Sequence, residues 1–266
     1  MLSIEEIKLL IEKLEKVKKS PVLQDLVNSQ LAILKTIAET VDATNNEVIN
    51  RLDKTPEWYR EDLNQKRDKP VVDNWLYNSV QSKIRQFAKT SLFNSLEIGP
   101  GTGMFSKDFR SWYRNYFLDI LPELEQKIRR RFPPLHQKHL RFYTTDRTGC
   151  TSIPRGSTNF VFSWDTFVFF TQEHIAEYLK DIKDILIDGG YCFIQYADCH
   201  YDYDMKRAQK GYWNYNNKGI MESIIRDSGY EVVEMGQFRP GANYAIFRKP
   251  GKQNPVVYKI SEIPID

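Results

Sequence analysis

The residues best equipped for chemistry fall in one glycine loop and one acidic run. The loop is Gly99-Pro100-Gly101-Thr102-Gly103, entered from the apolar segment Leu92–Ile98, with Glu97 two residues before its first glycine. Glycines are needed where backbone must turn sharply and admit a ligand with no Cβ in the way. Amides at the start of a following helix can face polar ligand groups. The spacing is not the dinucleotide fingerprint, because the third glycine arrives one residue early and position 104 is Met. No lysine follows in the manner of a P-loop either. A carboxylate at Glu97 would repel a phosphate but suits a cationic group such as an ammonium or a sulfonium. The acidic run, Ala197 to Asp204, sets Asp198, His200, Asp202 and Asp204 at every second position, so an extended backbone would turn them one way. His200 in that place suits general-base work near neutral pH. The same run also reads as a solvated loop, and its spacing matches no closed metal-ligand set, so no metal is expected.

These residues need a scaffold, and the chain patterns one as alternating strands and helices. After the glycine loop comes Asn115–Leu118, ending in Asp119 and Ile120, then a helix start at Pro122-Glu123-Leu124 with proline and acids in the first turn. Leu140–Thr144 predicts a third strand, ending in Thr145-Asp146-Arg147, and Asn159–Phe162 a fourth, ending in Ser163-Trp164-Asp165. A helix from about Gln172 carries Ile175, Tyr178, Leu179, Ile182 and Leu186 on one face, and Gly189-Gly190 is expected to end it. Tyr191–Tyr196 is apolar enough for the middle of a buried sheet. After a polar insert and one more helix, Tyr230–Val233 and Tyr244–Phe247 supply a closing, antiparallel pair. Ahead of all this, Ile4, Ile7, Ile11 and Leu14 form one amphipathic stripe; Leu23, Leu26, Val27, Leu31 and Leu34 begin another. Both readings of these stripes stay open: docking on the main domain, or a homodimer through the N-terminal helices. Asp53 to Pro70 is polar and reads as a linker or lid. The expected organisation is therefore an N-terminal helical region with linker over 1–66, a main domain over 67–250 and an extended tail over 251–266.

With these elements in order, Glu97-Ile98-Gly99-Pro100-Gly101-Thr102-Gly103 resembles the first motif of class I S-adenosylmethionine-dependent methyltransferases, and the resemblance runs over roughly 91–248. It implies an α/β fold: a Rossmann-like, seven-stranded, mostly parallel sheet with helices on both faces, here with the N-terminal helical appendage. It implies S-adenosylmethionine as cofactor, held by Glu97, Gly99, Pro100, Gly101, Gly103, Asp119, Ile120, Asp146, Arg147, Ser163 and Trp164. Asp119, about 20 residues past the loop, is placed to hold the ribose diol. Asp146 stands where relatives accept a hydrogen bond from the adenine amine. All these positions fall at carboxyl ends of strands, where open α/β sheets bind ligands. Two departures stand out. Asn159 occupies a position often held by Asp, and Phe169 occupies one where some relatives carry His after Ser163-Trp164-Asp165-Thr166-Phe167-Val168. If that histidine is the base in relatives, this chain uses another group or is impaired.

The acceptor is constrained mostly by exclusion. No Asp/Asn-Pro-Pro-Tyr segment follows the fourth strand and no Pro-Cys pair is present, which leaves oxygen, or a small-molecule nitrogen. The expected activity is O-methylation of a sugar, a glycan or a small molecule, with His200 as base, Asp165 beside it, and Asp198, Tyr212 and Trp213 at the acceptor. Tyr212 and Trp213, mixed with amides up to Asn217, suit stacking on sugar faces or packing a lid. The basic run Lys127, Arg129, Arg130, Arg131, Lys138 and Arg141 suits an anionic acceptor, or is one solvated face. The alternatives are a non-catalytic cofactor-binding scaffold and an RNA-directed enzyme. Across 266 residues, 38 Lys and Arg oppose 35 Asp and Glu, a net charge of +3 that argues against nucleic acid. No apolar stretch approaches the ~20 residues of a membrane span. Cys150, Cys192 and Cys199 are few, odd in number and without metal spacing, which fits reduced thiols in a cytoplasmic protein.

Overall fold

Parallel sheets covered by helices bury their strands on both faces, and two wholly buried strands make the centre of this sheet. The computed structural model describes residues 4–17, 35, 73–87, 93–109, 113–146 and 149–252. Within them lie β1 (Asn94–Ile98), β2 (Arg114–Asp119), β3 (Leu140–Thr144), β4 (Thr158–Ser163), β5 (Leu186–Tyr196), β6 (Glu231–Gln237) and β7 (Asn243–Arg248). They form one seven-stranded sheet in the order β3-β2-β1-β4-β5-β7-β6. Every residue of β1 and β4 is buried. The first five strands pair in parallel, while β7 runs antiparallel to both β5 and β6. The expected architecture is present, including the switch in strand order beside β1.

Helices cover both faces. On one side, α4 (Gln172–Ile185) turns Ile175, Tyr178, Leu179, Ile182 and Ile185 into a core shared with Met221 and Ile225 of α6 (Lys218–Asp227). Thr171 caps α4 by accepting from the His174 amide, and Asn217 caps α6 by accepting from the Ile220 amide at 3.0 Å. On the other side, α2 (Asn74–Phe87) seats Leu76, Val80 and Ile84 on an aromatic cluster with Phe105, Phe109, Phe160, Phe162 and Phe193. Two shorter helices, α3 (Leu124–Arg129) and α5 (Asp202–Gln209), follow β2 and β5. The first N-terminal stripe lies on α1 (Ile4–Val17), with Ile7 buried and Leu9 exposed. The second stripe, the 53–70 linker, and the tail beyond Lys252 lie outside the described residues. Among the described residues no helix is long and apolar enough to cross a membrane.

Three local expectations are corrected. Gly189-Gly190 does not end α4: the helix stops at Ile185, and Leu186 already pairs with Thr158 as the first residue of β5. The register then shifts between Thr158 and Phe160, and Gly189 takes a φ of 71° inside the strand, so the glycines serve an irregularity in β5. The glycine loop leads into turns and a four-residue 3-10 helix, Ser106–Phe109, rather than a regular α-helix over those residues. The acidic run is not extended either, because it turns after Tyr196 and enters α5 at Asp202.

Candidate functional site

The parallel registers bring the carboxyl ends of five strands side by side. Ile98 pairs with Leu118 and with Ser163, Asp119 with Thr144, and Ser163 with Ile194. The glycine loop is fastened into this edge: the Gly99 amide donates to the Leu118 carbonyl at 2.8 Å, and the Ser163 hydroxyl donates to the Ile98 carbonyl at 2.8 Å. Gly99, Gly101 and Gly103 have φ of 65°, 55° and 78°, a region costly for residues with a Cβ. The space at two of them is already taken by protein. A Cβ on Gly99 would fall 2.0 Å from the Thr166 hydroxyl, and one on Gly103 would press Arg131 and Ser106 at 3.0 and 3.1 Å. The sharp turn expected of these glycines is present, and at Gly99 the Thr166 side chain also fills the space a Cβ would need.

Two buried carboxyls flank the loop. Glu97 accepts from the Ser106 hydroxyl at 2.5 Å. Burial, with Asp108 and Asp119 nearby, pushes its carboxyl up to about 8 despite that hydrogen bond. Asp119 is held by the Leu121 amide, which donates to Oδ1 at 3.1 Å, and the amides of Gly101 and Ile120 also favour its charged form. Burial still raises it to about 6. Its Oδ2 is buried and accepts no hydrogen bond from protein. A buried polar oxygen normally has a partner. This one fits a ligand hydroxyl beside Gly101, and the residues present therefore fit an adenosine-type cofactor.

The other expected site residues divide by environment. Asp146 is exposed just past β3, and Arg147 lies outside the described residues. The Trp164 side chain is 8% exposed and packs against Phe105, Phe193 and Phe238. Asp165 next to it is exposed and has a φ of 57°, the only positive value among the described non-glycine residues. Its amide donates to Oε1 of Gln195 at 2.5 Å. Past β5, Asp198 is buried and its Oδ1 lies 3.1 Å from Nδ1 of His200. The Asp198 amide is held by Asp204 Oδ2 at 2.8 Å, and Asn243 donates to the same oxygen at 2.5 Å. Tyr212 is exposed, whereas Trp213 is buried against Val168 and Ala197. The Asn214 amide donates to the Val168 carbonyl at 2.8 Å, stitching the insert to the segment after β4.

Sequence reading missed Ser106, Thr166 and Gln195 as partners of the site, and singled out Asp204 only as one of the alternating acids. Only Gln195 carried a usable signal, as a polar residue inside an otherwise apolar strand. Three of the six residues of the basic run are engaged with their own surroundings: Arg129 pairs with Glu125 at 2.7 Å, Arg131 donates to the Thr102 carbonyl, and Arg141 donates to the carbonyls of Lys138 and Leu140.

Comparison with known proteins agrees with this geometry. The family model described as a methyltransferase domain matches residues 46–235. The magnesium protoporphyrin IX methyltransferase of Synechocystis, solved with bound SAM, superposes with a TM-score of 0.56 at 12% identity, covering 76% of this chain and 97% of that one. An S-adenosylmethionine-dependent methyltransferase from Mesorhizobium loti gives 0.54 at 13% identity, over 63% of this chain and 96% of the other. The geranyl diphosphate C-methyltransferase of Streptomyces coelicolor gives 0.53 at 10% identity, over 65% and 78%. No curated protein matches by sequence. With a glycine loop between two buried carboxyls, the 3-2-1-4-5-7-6 sheet and the matched model, the chain belongs to the methyltransferase domain family and is an S-adenosylmethionine-dependent methyltransferase.

Proposed function

We propose that the protein methylates a hydroxyl oxygen, on a sugar, a glycan or another small hydroxylated molecule, with His200 as general base. The observation that carries this reading is the Asp198–His200 pair at the end of β5. A buried carboxylate oxygen 3.1 Å from Nδ1 orients the ring and leaves Nε2 to accept a proton. The His200 side chain is 69% exposed, so an acceptor can reach it from solvent.

The cofactor, when bound, supplies an activated methyl group on a sulfonium. In this reading Glu97 and the loop Gly99-Pro100-Gly101-Thr102-Gly103 would face its charged end, Asp119 and Ile120 would hold its ribose, and Asp146 would face its base. Ser163 fixes the loop against β4, and Trp164 walls the pocket from behind. Asp165 and Asp198 approach the acceptor hydroxyl from β4 and β5, with Tyr212 and Trp213 on the insert. A hydroxyl ionises far above neutral pH, so its proton must leave as the oxygen attacks the methyl carbon. His200 Nε2 would take that proton as the acceptor oxygen gains the methyl group that the bound cofactor would supply, leaving the cofactor as its neutral sulfide. Alignment of oxygen, methyl and sulfur supplies the rest of the rate. Two of the structural relatives carry names with very different acceptors, a porphyrin and a prenyl diphosphate. The fold therefore does not select the acceptor, and the reading of oxygen rests on the Asp198–His200 pair.

The test is a screen of hydroxylated acceptors with isotopically labelled S-adenosylmethionine, read by mass spectrometry. Labelled product on an alcohol or phenol oxygen supports the reading. Label appearing only on nitrogen or carbon acceptors refutes it.

A further inference from the structure

The exposed Asp165 sits in a backbone conformation that a residue with a Cβ seldom adopts, and such strain persists only where surrounding structure enforces it. One group that holds it is the Gln195 carboxamide, which is 3% exposed near the carboxyl end of β5. Its Oε1 accepts from the Asp165 amide at 2.5 Å, and its Nε2 donates to the Gly241 carbonyl at 2.8 Å. Gly241 belongs to the turn between β6 and β7, where Phe238 and Ala242 are hydrogen-bonded at 3.1 Å. That turn carries the insert: a Cβ on Gly241 would fall 2.4 Å from the Tyr203 ring, and Arg207 lies over the rings of both Tyr203 and Trp213. One buried amide thus joins the end of β4, the β6–β7 turn and the aromatic insert.

We propose that Gln195 is a positioning residue for methyl transfer, a two-ended clamp that sets Asp165 in its left-handed conformation and locks it to the surface on which the aromatic insert rests. The proposal rests on the reading of Asp165 as an acceptor-side group. A carboxamide suits the task because it offers one acceptor and one donor at fixed separation. A glutamate would keep the first and lose the second. Alanine would lose both and loosen the hold on the Asp165 amide.

The test uses the full chain with S-adenosylhomocysteine bound, comparing Gln195→Ala, Gln195→Glu and Asp165→Asn. Amide hydrogen exchange at Asp165 reads the clamp directly, and turnover on the acceptor found by the screen reads its consequence. Gln195→Ala should speed exchange at Asp165 by about tenfold or more and lower kcat by a similar factor, with KM for S-adenosylmethionine within about twofold of wild type. Gln195→Glu, which retains the acceptor oxygen, should restore most of the Asp165 protection and part of kcat. Unchanged Asp165 exchange in Gln195→Ala overturns the proposal. So does fast exchange with normal kcat, if Asp165→Asn is itself impaired. If Asp165→Asn also turns over normally, the role given to Asp165 has failed, and the proposal falls with it. A general loss of protection across β5 and β7 in both Gln195 variants would mark a fold defect and overturn it as well.

Discussion

Asp119→Asn separates binding from stability in opposite directions. One carboxylate oxygen, Oδ1, is committed to the Leu121 amide, while Oδ2 is buried with no protein partner. The substitution keeps an acceptor for Leu121 and removes the charged one offered to ligand. A hydrogen bond to a charged group contributes about 1.5–3 kcal/mol, so affinity for S-adenosylhomocysteine should fall about ten- to hundredfold. Stability without ligand should move the other way. Folding raises the Asp119 carboxyl from 3.8 to about 6, chiefly by burial. The folded chain therefore retains a proton that the unfolded chain releases, and stability falls as pH rises from about 4 through about 6. Asparagine removes that penalty in full at pH 8 and only about half of it at pH 5, midway through the interval in which it builds up. Part of the gain is offset by the amide left without a partner, so a net gain of about 1–2 kcal/mol at pH 8 is expected, or about 2–6 °C in Tm. Calorimetric titration and thermal unfolding at both pH values measure the two effects. Unchanged ligand affinity, or a Tm difference that does not grow from pH 5 to pH 8, would refute the reasoning.

Three further outcomes are expected. Gly99→Ala places a Cβ 2.0 Å from the Thr166 hydroxyl at a φ of 65°, and should destabilise the apo-protein by about 2 kcal/mol or more, read as a lower midpoint in denaturant titration. Glu97 rises from 4.5 to about 8 on folding, so it too lowers stability as pH climbs through that interval. Its ionisation favours a cationic ligand: the preference for S-adenosylmethionine over the neutral sulfide should grow as pH passes about 8, and in Glu97→Gln calorimetry should find that growth absent. His200→Ala should cut turnover on an alcohol acceptor by about a hundredfold or more while affinity for S-adenosylhomocysteine stays within about twofold. Near-normal turnover in that variant would place the base elsewhere.

The sequence by itself determined the order of elements and the carboxyl edge on which the site lies. Those features are written locally, in apolar runs such as Asn159–Phe162, in the clustered glycines after Ile98, and in acids that close strands at Asp119 and Asp146. Hydrophobic periodicity and turn chemistry act over a few residues, so they can be read without knowing the neighbours. Tertiary structure decided what lies between segments distant in the chain. Gly99 is required by Thr166, 67 positions later, and no local pattern announces that contact. Gly189-Gly190 looked like a helix stop, but pairing of Leu186 with Thr158 began the strand earlier and drew both glycines into it. Trp164 and Asp165 are adjacent, yet one is packed among Phe105, Phe193 and Phe238 while the other is exposed and held by Gln195 from the next strand. Asp198, His200 and Asp204 alternate in sequence, but the turn into α5 buried Asp204 beneath the Asp198 amide and left His200 in solvent. In each case the deciding force is packing or hydrogen bonding across the sheet edge, which exists only after the strands are side by side.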